Sequence, residues 1–320
     1  MKEEYPNMPA FSAGMLGGGG YPHEMSFGIT LCMKLSATNY QTKITPYFYT
    51  RMHHTSGYIK AGNEQIHYLK AGNGNKLLLA FPGYGHEGAS MLEFAPHLAQ
   101  QYTCLFIDHP HHGQSTWQPE TTFTRSMLRD MCLDLMKECK VDKLSLLGFS
   151  MGGRVCLTII EELGDHVDKA TLIASDGLAP NKYYFFFTRT ALGRKMFSKM
   201  LNNPGPYAKV VTRLKDYKWI SEWQHKFVSH YIGNEPVRKQ LSLVWPAMSG
   251  LMPDQRKVLA TIEQYNIQVT LFMGKYDKVI PAALGEKFAS GSTKVKLHIL
   301  DKGHNIIGPD TAAQIAQTLL

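Results

Sequence analysis

The stretch Leu147-Gly148-Phe149-Ser150-Met151-Gly152-Gly153 decides how the rest of the chain is interpreted. It follows an apolar run that is typical of a buried strand, and an amphipathic helical pattern comes after it. A G-x-S-x-G motif in this context places its serine on a tight, strained turn with the hydroxyl above the sheet. Gly148 and Gly152 are required because a Cβ at either position would collide with the neighbouring strand or helix. The sequence therefore predicts Ser150 as a nucleophile, with the positive end of the helix beside any oxyanion formed there.

Two further strand ends carry the groups that a serine nucleophile needs. A serine hydroxyl is a weak nucleophile unless a base accepts its proton and a carboxylate orients that base. The turn Gly274-Lys275-Tyr276-Asp277 follows a predicted strand at 267–273, and Asp301-Lys302-Gly303-His304-Asn305 follows another at 295–300. The carboxyl ends of parallel strands meet at one edge of a sheet, where Ser150 also stands. We therefore expect Ser150, Asp277 and His304 to form a catalytic triad.

Apolar runs alternate with amphipathic helical patterns on both sides of the serine motif. Strands are predicted at 65–70, 76–81, 102–107, 143–149, 169–174, 267–273 and 295–300, and helices at 88–100, 121–139, 282–289 and 309–320. Such alternation is typical of an α/β fold with a mainly parallel sheet and helices on both faces.

The alternation also divides the chain into three parts. We predict a core at 46–176 and 267–320, and a helical cap at 177–266 inserted after the sixth strand. Residues 1–45 contain the run Gly17-Gly18-Gly19-Gly20 and little sustained periodicity, which predicts a poorly ordered extension.

Two more loops match a known family. The loop Phe81-Pro82-Gly83-Tyr84-Gly85 and the turn Asp108-His109-Pro110-His111-His112-Gly113-Gln114-Ser115 each follow a predicted strand. Together with the serine motif, they resemble the α/β-hydrolase superfamily over residues 58–176 and 267–320. That family often has His-Gly-x at the first loop and Asp-x-Pro-Gly-x-Gly-x-Ser at the second, so Pro82 and His111 depart from its pattern. The motifs are specific to the superfamily and not to one activity within it.

The resemblance implies which groups form the oxyanion hole. The N–H of Met151, directly after the nucleophile, and the N–H of Tyr84 would hold the oxyanion. Pro82 leaves this backbone role intact, but it leaves open which groups support the loop.

Asp176 is the competing candidate for the acid, because some members of the family place the acid after the strand at 169–174. We prefer Asp277, since its Gly-x-x-Asp turn and the following Val279-Ile280-Pro281 are the more typical setting. The expected reaction is hydrolysis of a carboxylic ester or thioester through an acyl-enzyme, without a cofactor. Amidase, C–C hydrolase, perhydrolase and acyltransferase chemistry stay open, as does a non-enzymatic ligand-binding role. Dehalogenase and epoxide-hydrolase chemistry is disfavoured, because those members use a carboxylate nucleophile.

Three histidines within four residues, at 109–112, also suggest a metal site. The H-x-H-x-D-H order of metallo-β-lactamase-like hydrolases is absent, because Asp108 precedes the histidines. We therefore predict a structural turn with His111 and His112 near the surface, and no metal.

The net charge of +8 is concentrated in the predicted cap, where residues 177–266 carry 14 Lys/Arg against 5 Asp/Glu and 14 aromatic residues. Aromatic residues on a cap would line an apolar acyl or alkyl pocket or pack the cap onto the core. The basic excess suits an anionic substrate, the headgroups of a membrane surface or a solvated face. No nucleic-acid motif accompanies it. The predicted partner is a small-molecule ester or thioester, either anionic or bearing an acyl chain.

Cysteine usage and hydropathy bear on the compartment. Cys32, Cys104, Cys132, Cys139 and Cys156 form no C-x-x-C pair, and most lie in apolar segments as small core residues do. No apolar stretch reaches the roughly 18 residues of a membrane span, and no secretory signal is recognised. A reducing, cytoplasmic compartment is therefore expected.

Overall fold

Eight strands form one sheet in residues 53–320, the part of the chain that the computed structural model describes, side chains at 223, 224 and 227 excepted. They are β1 (His54–Ala61), β2 (Glu64–Ala71), β3 (Lys76–Phe81), β4 (Tyr102–Ile107), β5 (Leu144–Phe149), β6 (Val167–Ile173), β7 (Gln268–Gly274) and β8 (Val295–Leu300). Their order across the sheet is β1-β2-β4-β3-β5-β6-β7-β8. Strand β2 is antiparallel to both neighbours, whereas the pairs from β4 to β8 are parallel. The predicted mainly parallel α/β sheet is confirmed.

Helices follow most strands and cover both faces of the sheet. They are α1 (Ala95–Leu98), α2 (Arg125–Cys139), α3 (Met151–Leu163), α4 (Lys182–Arg189), α5 (Ala191–Asn202), α6 (Pro204–Asp216), α7 (Glu222–Gly233), α8 (Glu235–Ala247), α9 (Gln255–Gln264), α10 (Ala282–Ala289) and α11 (Pro309–Gln317). Segments of 3-10 helix lie at Gly88–Phe94, Gly164–His166 and Met248–Gly250.

Strand β3 shows how the core is divided. Leu77 and Leu79 belong to the apolar cluster that includes α2 and α3, whereas Leu78 and Ala80 belong to the cluster that includes α1 and α11. Successive side chains of a strand point to opposite faces of the sheet. An unbroken apolar run is therefore what a strand covered on both faces requires.

The segment between β6 and β7 is helical, as expected. Its last helix, α9, packs Val258 and Ile262 into the cluster with α2 and α3. Helices α4 to α8, which we call the cap helices, include a small apolar cluster of their own around Phe197, Leu201 and Leu241. The polypeptide thus leaves the sheet after β6, builds a second layer and returns through α9 to β7.

Three elements differ from the sequence expectation. The helix predicted at 88–100 is a 3-10 turn followed by the short α1, because Pro96 has no N–H and falls in the first turn of the new helix. Helix α2 begins at Arg125, since the Thr124 side chain accepts the Met127 N–H and caps it. Strand β1 was not predicted. The predicted extension at 1–45 lies outside the described residues.

Two observations concern the compartment. Cys104, Cys132 and Cys156 are buried and Cys139 is half-buried, and all four are free thiols. Within residues 53–320, no helix is long and apolar enough to cross a membrane. The cytoplasmic location stays a prediction.

Candidate active site

Ser150 lies on the turn between β5 and α3, with φ 51° and ψ −115°. This positive φ is strained for a residue with a side chain, and it persists only where the surroundings hold it. The Ser150 N–H donates to the carbonyl of Ile173 at 2.9 Å, and the Ser150 carbonyl accepts from the N–H of Asp176 at 2.9 Å. The end of β6 therefore holds the strained turn from both sides.

Gly148 and Gly152 stand where a side chain does not fit. A Cβ added to Gly148 would lie 2.7 Å from the Cys156 Sγ and 2.7 Å from the Gly152 carbonyl oxygen. A Cβ added to Gly152 would collide with the carbonyl oxygens of Phe81 and Pro82. The collisions predicted from the motif are confirmed, and they show that the loop after β3 packs directly on the serine turn.

His304 and Asp277 lie beside Ser150 in the predicted order. The His304 Nε2 is 3.0 Å from the Ser150 Oγ, and the His304 Nδ1 is 2.7 Å from the Asp277 Oδ2. The Asp277 side chain is fully buried, and its Oδ1 accepts the N–H groups of Val279 (2.8 Å) and Ile280 (2.9 Å). The carboxylate is thus fixed by its own turn and presents its second oxygen to the imidazole.

Asp176 has a different partner. Its Oδ2 lies 3.4 Å from the Nε of Arg154, and its Oδ1 accepts the N–H of Gly177 at 2.7 Å. The Arg154 guanidinium is buried and lies 4.4 Å from the centre of the Tyr184 ring, which adds a cation–π contact. The structure therefore brings Asp277 to His304 and commits Asp176 to Arg154, a residue that the sequence did not single out.

The loop after β3 runs alongside the serine. A Cβ added to Gly83 would lie 3.3 Å from the Ser150 Cβ and 3.0 Å from the Phe149 ring. The next residue, Tyr84, packs its ring 6.1 Å from the ring of Tyr231 at the end of α7. Burial raises the pKa of the Tyr84 phenol, with Tyr231 adding to the effect. Met151 is the first residue of α3, so its N–H has no acceptor within the helix.

His109 and His112 hold this loop, residues 82–85, in place through hydrogen bonds. We call it the Tyr84 loop. The His109 Nε2 donates to the Pro82 carbonyl at 2.8 Å. The His112 Nε2 accepts the Gly85 N–H at 3.0 Å, while its Nδ1 donates to the Pro110 carbonyl at 2.9 Å. Burial lowers the pKa of His109 to about 3 and that of His112 to about 4, so both rings are neutral at pH 7. The two imidazole rings are therefore the groups that support the loop, which the presence of Pro82 had left open in the sequence analysis.

The prediction of His112 near the surface is wrong, because its ring is buried beneath the Tyr84 loop. His111 is half-buried and has a φ of 60°, which explains why the family pattern has glycine there. No group of three His, Cys, Asp or Glu side chains among residues 53–320 has the arrangement of a metal site.

A second Ser–His–Asp row lies at the start of the histidine-containing turn at 108–115. The His67 Nε2 is 2.7 Å from the exposed Ser56 Oγ, and the His67 Nδ1 is 2.7 Å from the Asp108 Oδ2. Asp108 also accepts the N–H groups of Gly88 (2.6 Å) and Gln114 (2.9 Å). Ser56 lies inside an edge strand and not at the start of a helix, so it lacks the N–H groups that would hold an oxyanion. We interpret this row as structural support, and sequence spacing carried no signal for it.

The chain also matches one known family. The family model described as "alpha/beta hydrolase fold" matches residues 76–310. The chain belongs to the α/β-hydrolase family.

Curated relatives of this hydrolase are distant. "Uncharacterized hydrolase YugF" of Bacillus subtilis (strain 168) is 20% identical over 247 residues, covering 76% of this chain and 88% of that protein. The 2-hydroxy-6-oxo-6-(2'-aminophenyl)hexa-2,4-dienoic acid hydrolase of Metapseudomonas resinovorans is 25% identical over 251 residues, covering 72% of this chain and 78% of that protein. An esterase structure from Exiguobacterium antarcticum superposes with a TM-score of 0.56 at 18% identity, covering 83% of this chain and 98% of that one. Structural likeness at this identity concerns the fold.

Proposed function

We propose that this hydrolase cleaves a carboxylic ester or thioester through an acyl-enzyme formed on Ser150. The observation that carries the proposal is the continuous row from the Ser150 Oγ through His304 to the buried carboxylate of Asp277, with separations of 3.0 and 2.7 Å. A carboxylate only accepts hydrogen bonds, so the proton of the imidazole resides on Nδ1 and the Nε2 lone pair faces the serine. That tautomer is the one that a general base requires.

In the first step the Ser150 Oγ attacks the substrate carbonyl carbon and its proton passes to the His304 Nε2. The imidazolium that results is stabilised by Asp277, which lies in a dry environment where a charge pair is strong. The alcohol or thiol leaving group then departs with the proton from Nε2. The C–O or C–S bond of the substrate is broken, and the acyl group is bound to Ser150.

The developing oxyanion would be held by the N–H groups of Met151 and Tyr84. Met151 provides the free N–H of a helix start, where the helix dipole also favours negative charge. The Tyr84 loop lies against Ser150 through Gly83, and its carbonyl and N–H groups are held by His109 and His112. Such a pre-oriented donor pair contributes several kcal/mol to acyl transfer, about 3–4 for a single donor in mutational studies of other hydrolases.

In the second step water replaces the leaving group. His304 takes a proton from the water, the hydroxide attacks the acyl carbon, and Ser150 recovers its proton from Nε2 as the acid is released. Apart from the substrate and one water molecule, no group outside the chain takes part in either step, and the proposal includes no cofactor or metal.

The cap helices set the substrate in this proposal. Tyr84 belongs to the same apolar cluster as Phe197 and Leu201 of α5 and Leu241 of α8. The surface nearest the nucleophile is therefore apolar, which suits an acyl or alkyl group. The relative from Metapseudomonas resinovorans, a hydrolase of a 2-hydroxy-6-oxo-dienoic acid by its name, makes C–C bond hydrolysis the second candidate.

Labelling by a fluorophosphonate probe tests the nucleophile. We expect the native chain to be labelled and the Ser150→Ala variant to be silent. Ser56→Ala is the matched control, because it removes the serine of the other Ser–His–Asp row and should label like the native chain. Labelling that survives in Ser150→Ala and disappears in Ser56→Ala would overturn the assignment.

A substrate panel then separates the two candidate reactions. p-Nitrophenyl esters of two to sixteen carbons and acyl-CoA thioesters should be hydrolysed, with rates that fall to background in Ser150→Ala. Hydrolysis of a vinylogous 1,5-diketone with no ester turnover would favour C–C cleavage instead.

A further inference from the structure

Helices α4 and α5 form one layer of the cap, because both pack against the same tryptophan. The Tyr184 hydroxyl of α4 donates to the Trp245 carbonyl at 3.0 Å, and the two rings meet edge to face at 5.2 Å. The Phe197 ring of α5 stacks on the Trp245 ring at 5.3 Å with 8° between the planes. Since the inner sides of both helices face Trp245, their opposite sides face away from it together. We call this opposite side the outer face of α4–α5.

The two helices expose large apolar side chains. The exposed fractions are 81% for Tyr183, 50% for Phe185, 63% for Leu192 and 41% for Met196. Isolated exposed apolar residues are common, but a group of them on two adjoining helices marks an interaction surface.

The two helices are also basic. Residues 181–203 contain five Lys/Arg and no Asp or Glu. On α5, Leu192, Lys195, Met196 and Lys199 are spaced i, i+3, i+4 and i+7, which places them on one stripe of the helix. The buried residues Gly193, Phe197 and Leu201 occupy the other side. Lys195 and Lys199 take part in none of the ion pairs found in the described part of the chain.

We propose that the outer face of α4–α5 binds the surface of an anionic lipid bilayer. Lysines interleaved with aromatic and aliphatic side chains match a headgroup layer, where cations meet phosphates and apolar groups enter the acyl boundary. A solvated basic face does not need exposed Leu192 or Met196. A small anionic substrate would be held by cations inside a site, not by lysines on the outside of the cap.

Helix α5 connects this surface with the loop beside the nucleophile. Helix α5 carries the lipid-facing stripe on one side and Phe197 and Leu201 on the other, in the cluster that contains Tyr84. One helix diameter, about 10 Å, therefore separates the bilayer from the loop beside Ser150. We infer that the substrate class is an ester or thioester with an acyl chain that reaches the site from the lipid phase. This inference rests on the proposed ester hydrolysis.

Vesicle sedimentation of the full-length Ser150→Ala chain tests binding separately from catalysis. We expect it to bind vesicles of phosphatidylglycerol and phosphatidylcholine, to bind pure phosphatidylcholine more weakly, and to be released by raising NaCl from 0.1 to 0.5 M. Lys195→Gln/Lys199→Gln should weaken binding about thirtyfold, because each basic side chain at such a surface contributes about fivefold. Lys287→Gln/Lys296→Gln removes two exposed lysines from the core and is the matched control, which should bind like the parent.

The activity of chains that keep the native Ser150 then tests the substrate class. Lys195→Gln/Lys199→Gln should keep the parent rate on soluble p-nitrophenyl acetate and lose most of its rate on an ester embedded in anionic vesicles. Failure of all variants to bind anionic vesicles, or an equal loss in the control pair, would overturn the surface. Binding without turnover of soluble or embedded esters would leave the surface standing and refute the proposed hydrolysis. A rise in KM for a soluble anionic ester, without vesicle binding, would assign the lysines to substrate capture instead.

Discussion

Replacing Asp277 by Asn should remove nearly all activity by forcing the wrong tautomer on His304. The Asp277 Oδ1 accepts two backbone N–H groups at 2.8 and 2.9 Å, and an amide NH2 in that position would face two donors. The Asn oxygen is therefore held at Oδ1, and its NH2 group must point at the His304 Nδ1. That nitrogen then has to accept, so the proton moves to Nε2 and faces the Ser150 hydroxyl. A protonated Nε2 cannot take the proton of the nucleophile.

The expected loss is about four orders of magnitude in kcat, the size seen when a triad carboxylate is replaced by its amide in another hydrolase. At about 1.4 kcal/mol for each factor of ten, this corresponds to about 5 kcal/mol of transition-state stabilisation. The fold should persist, because the amide oxygen keeps both backbone hydrogen bonds. Thermal unfolding of the variant checks that point independently.

The assay is the steady-state hydrolysis of p-nitrophenyl esters by the native chain, Asp277→Asn and Asp176→Asn. Asp176 pairs with Arg154 and not with His304, so its variant should keep activity within about tenfold. The reasoning is refuted if Asp277→Asn retains native kcat, and more so if Asp176→Asn is the inactive one.

Three further predictions concern stability. Gly152→Ala should lower the free energy of unfolding by about 1–3 kcal/mol, because the added Cβ meets the carbonyl groups of the loop after β3. A Cβ added at Gly205 meets nothing within 4 Å, so Gly205→Ala should be neutral or stabilising. Denaturant unfolding of both variants measures the difference. The Tyr84 hydroxyl is buried with no hydrogen-bond partner found among residues 53–320, so Tyr84→Phe should raise stability by about 1 kcal/mol. Tyr184→Phe loses a hydrogen bond to a carbonyl and should lower stability by a similar amount. Equal effects of the two variants in urea unfolding would contradict this. Burial lowers the pKa of His112 to about 4 in the folded state, whereas in the unfolded chain it titrates near 6.5. Between these values the unfolded state binds more protons, so stability falls by about 3 kcal/mol as the pH drops from 6.5 towards 4. The stability of His112→Gln should depend correspondingly less on pH over this range.

The sequence was sufficient for the features that are local. The serine turn, the Asp277 turn and the His304 turn each follow directly from an apolar strand, so strand prediction alone places them on one edge of the sheet. Features that depend on distant pairing gave no local signal. Strand β1 buries only Ile59 and Ala61 of its eight residues, because it is an edge strand, and its pattern is therefore too polar to identify.

The histidine turn shows the same limit. Three histidines in a polar turn suggest exposure, and only the structure shows that Gly85 and Pro82 from another loop supply their hydrogen-bond partners. The Arg154–Asp176 pair is similar, since an arginine in an apolar helix gives no indication of the carboxylate and the aromatic ring it will meet.

Intact-protein mass spectrometry of a rapidly quenched reaction tests the central claim most directly. The native chain mixed with a p-nitrophenyl ester should gain the mass of one acyl group, and peptide mapping should place that group on Ser150. The Ser150→Ala chain should gain none. An acyl group on another residue such as Ser56, with Ser150 unmodified, or full turnover by the Ser150→Ala chain, would contradict an acyl-enzyme on Ser150.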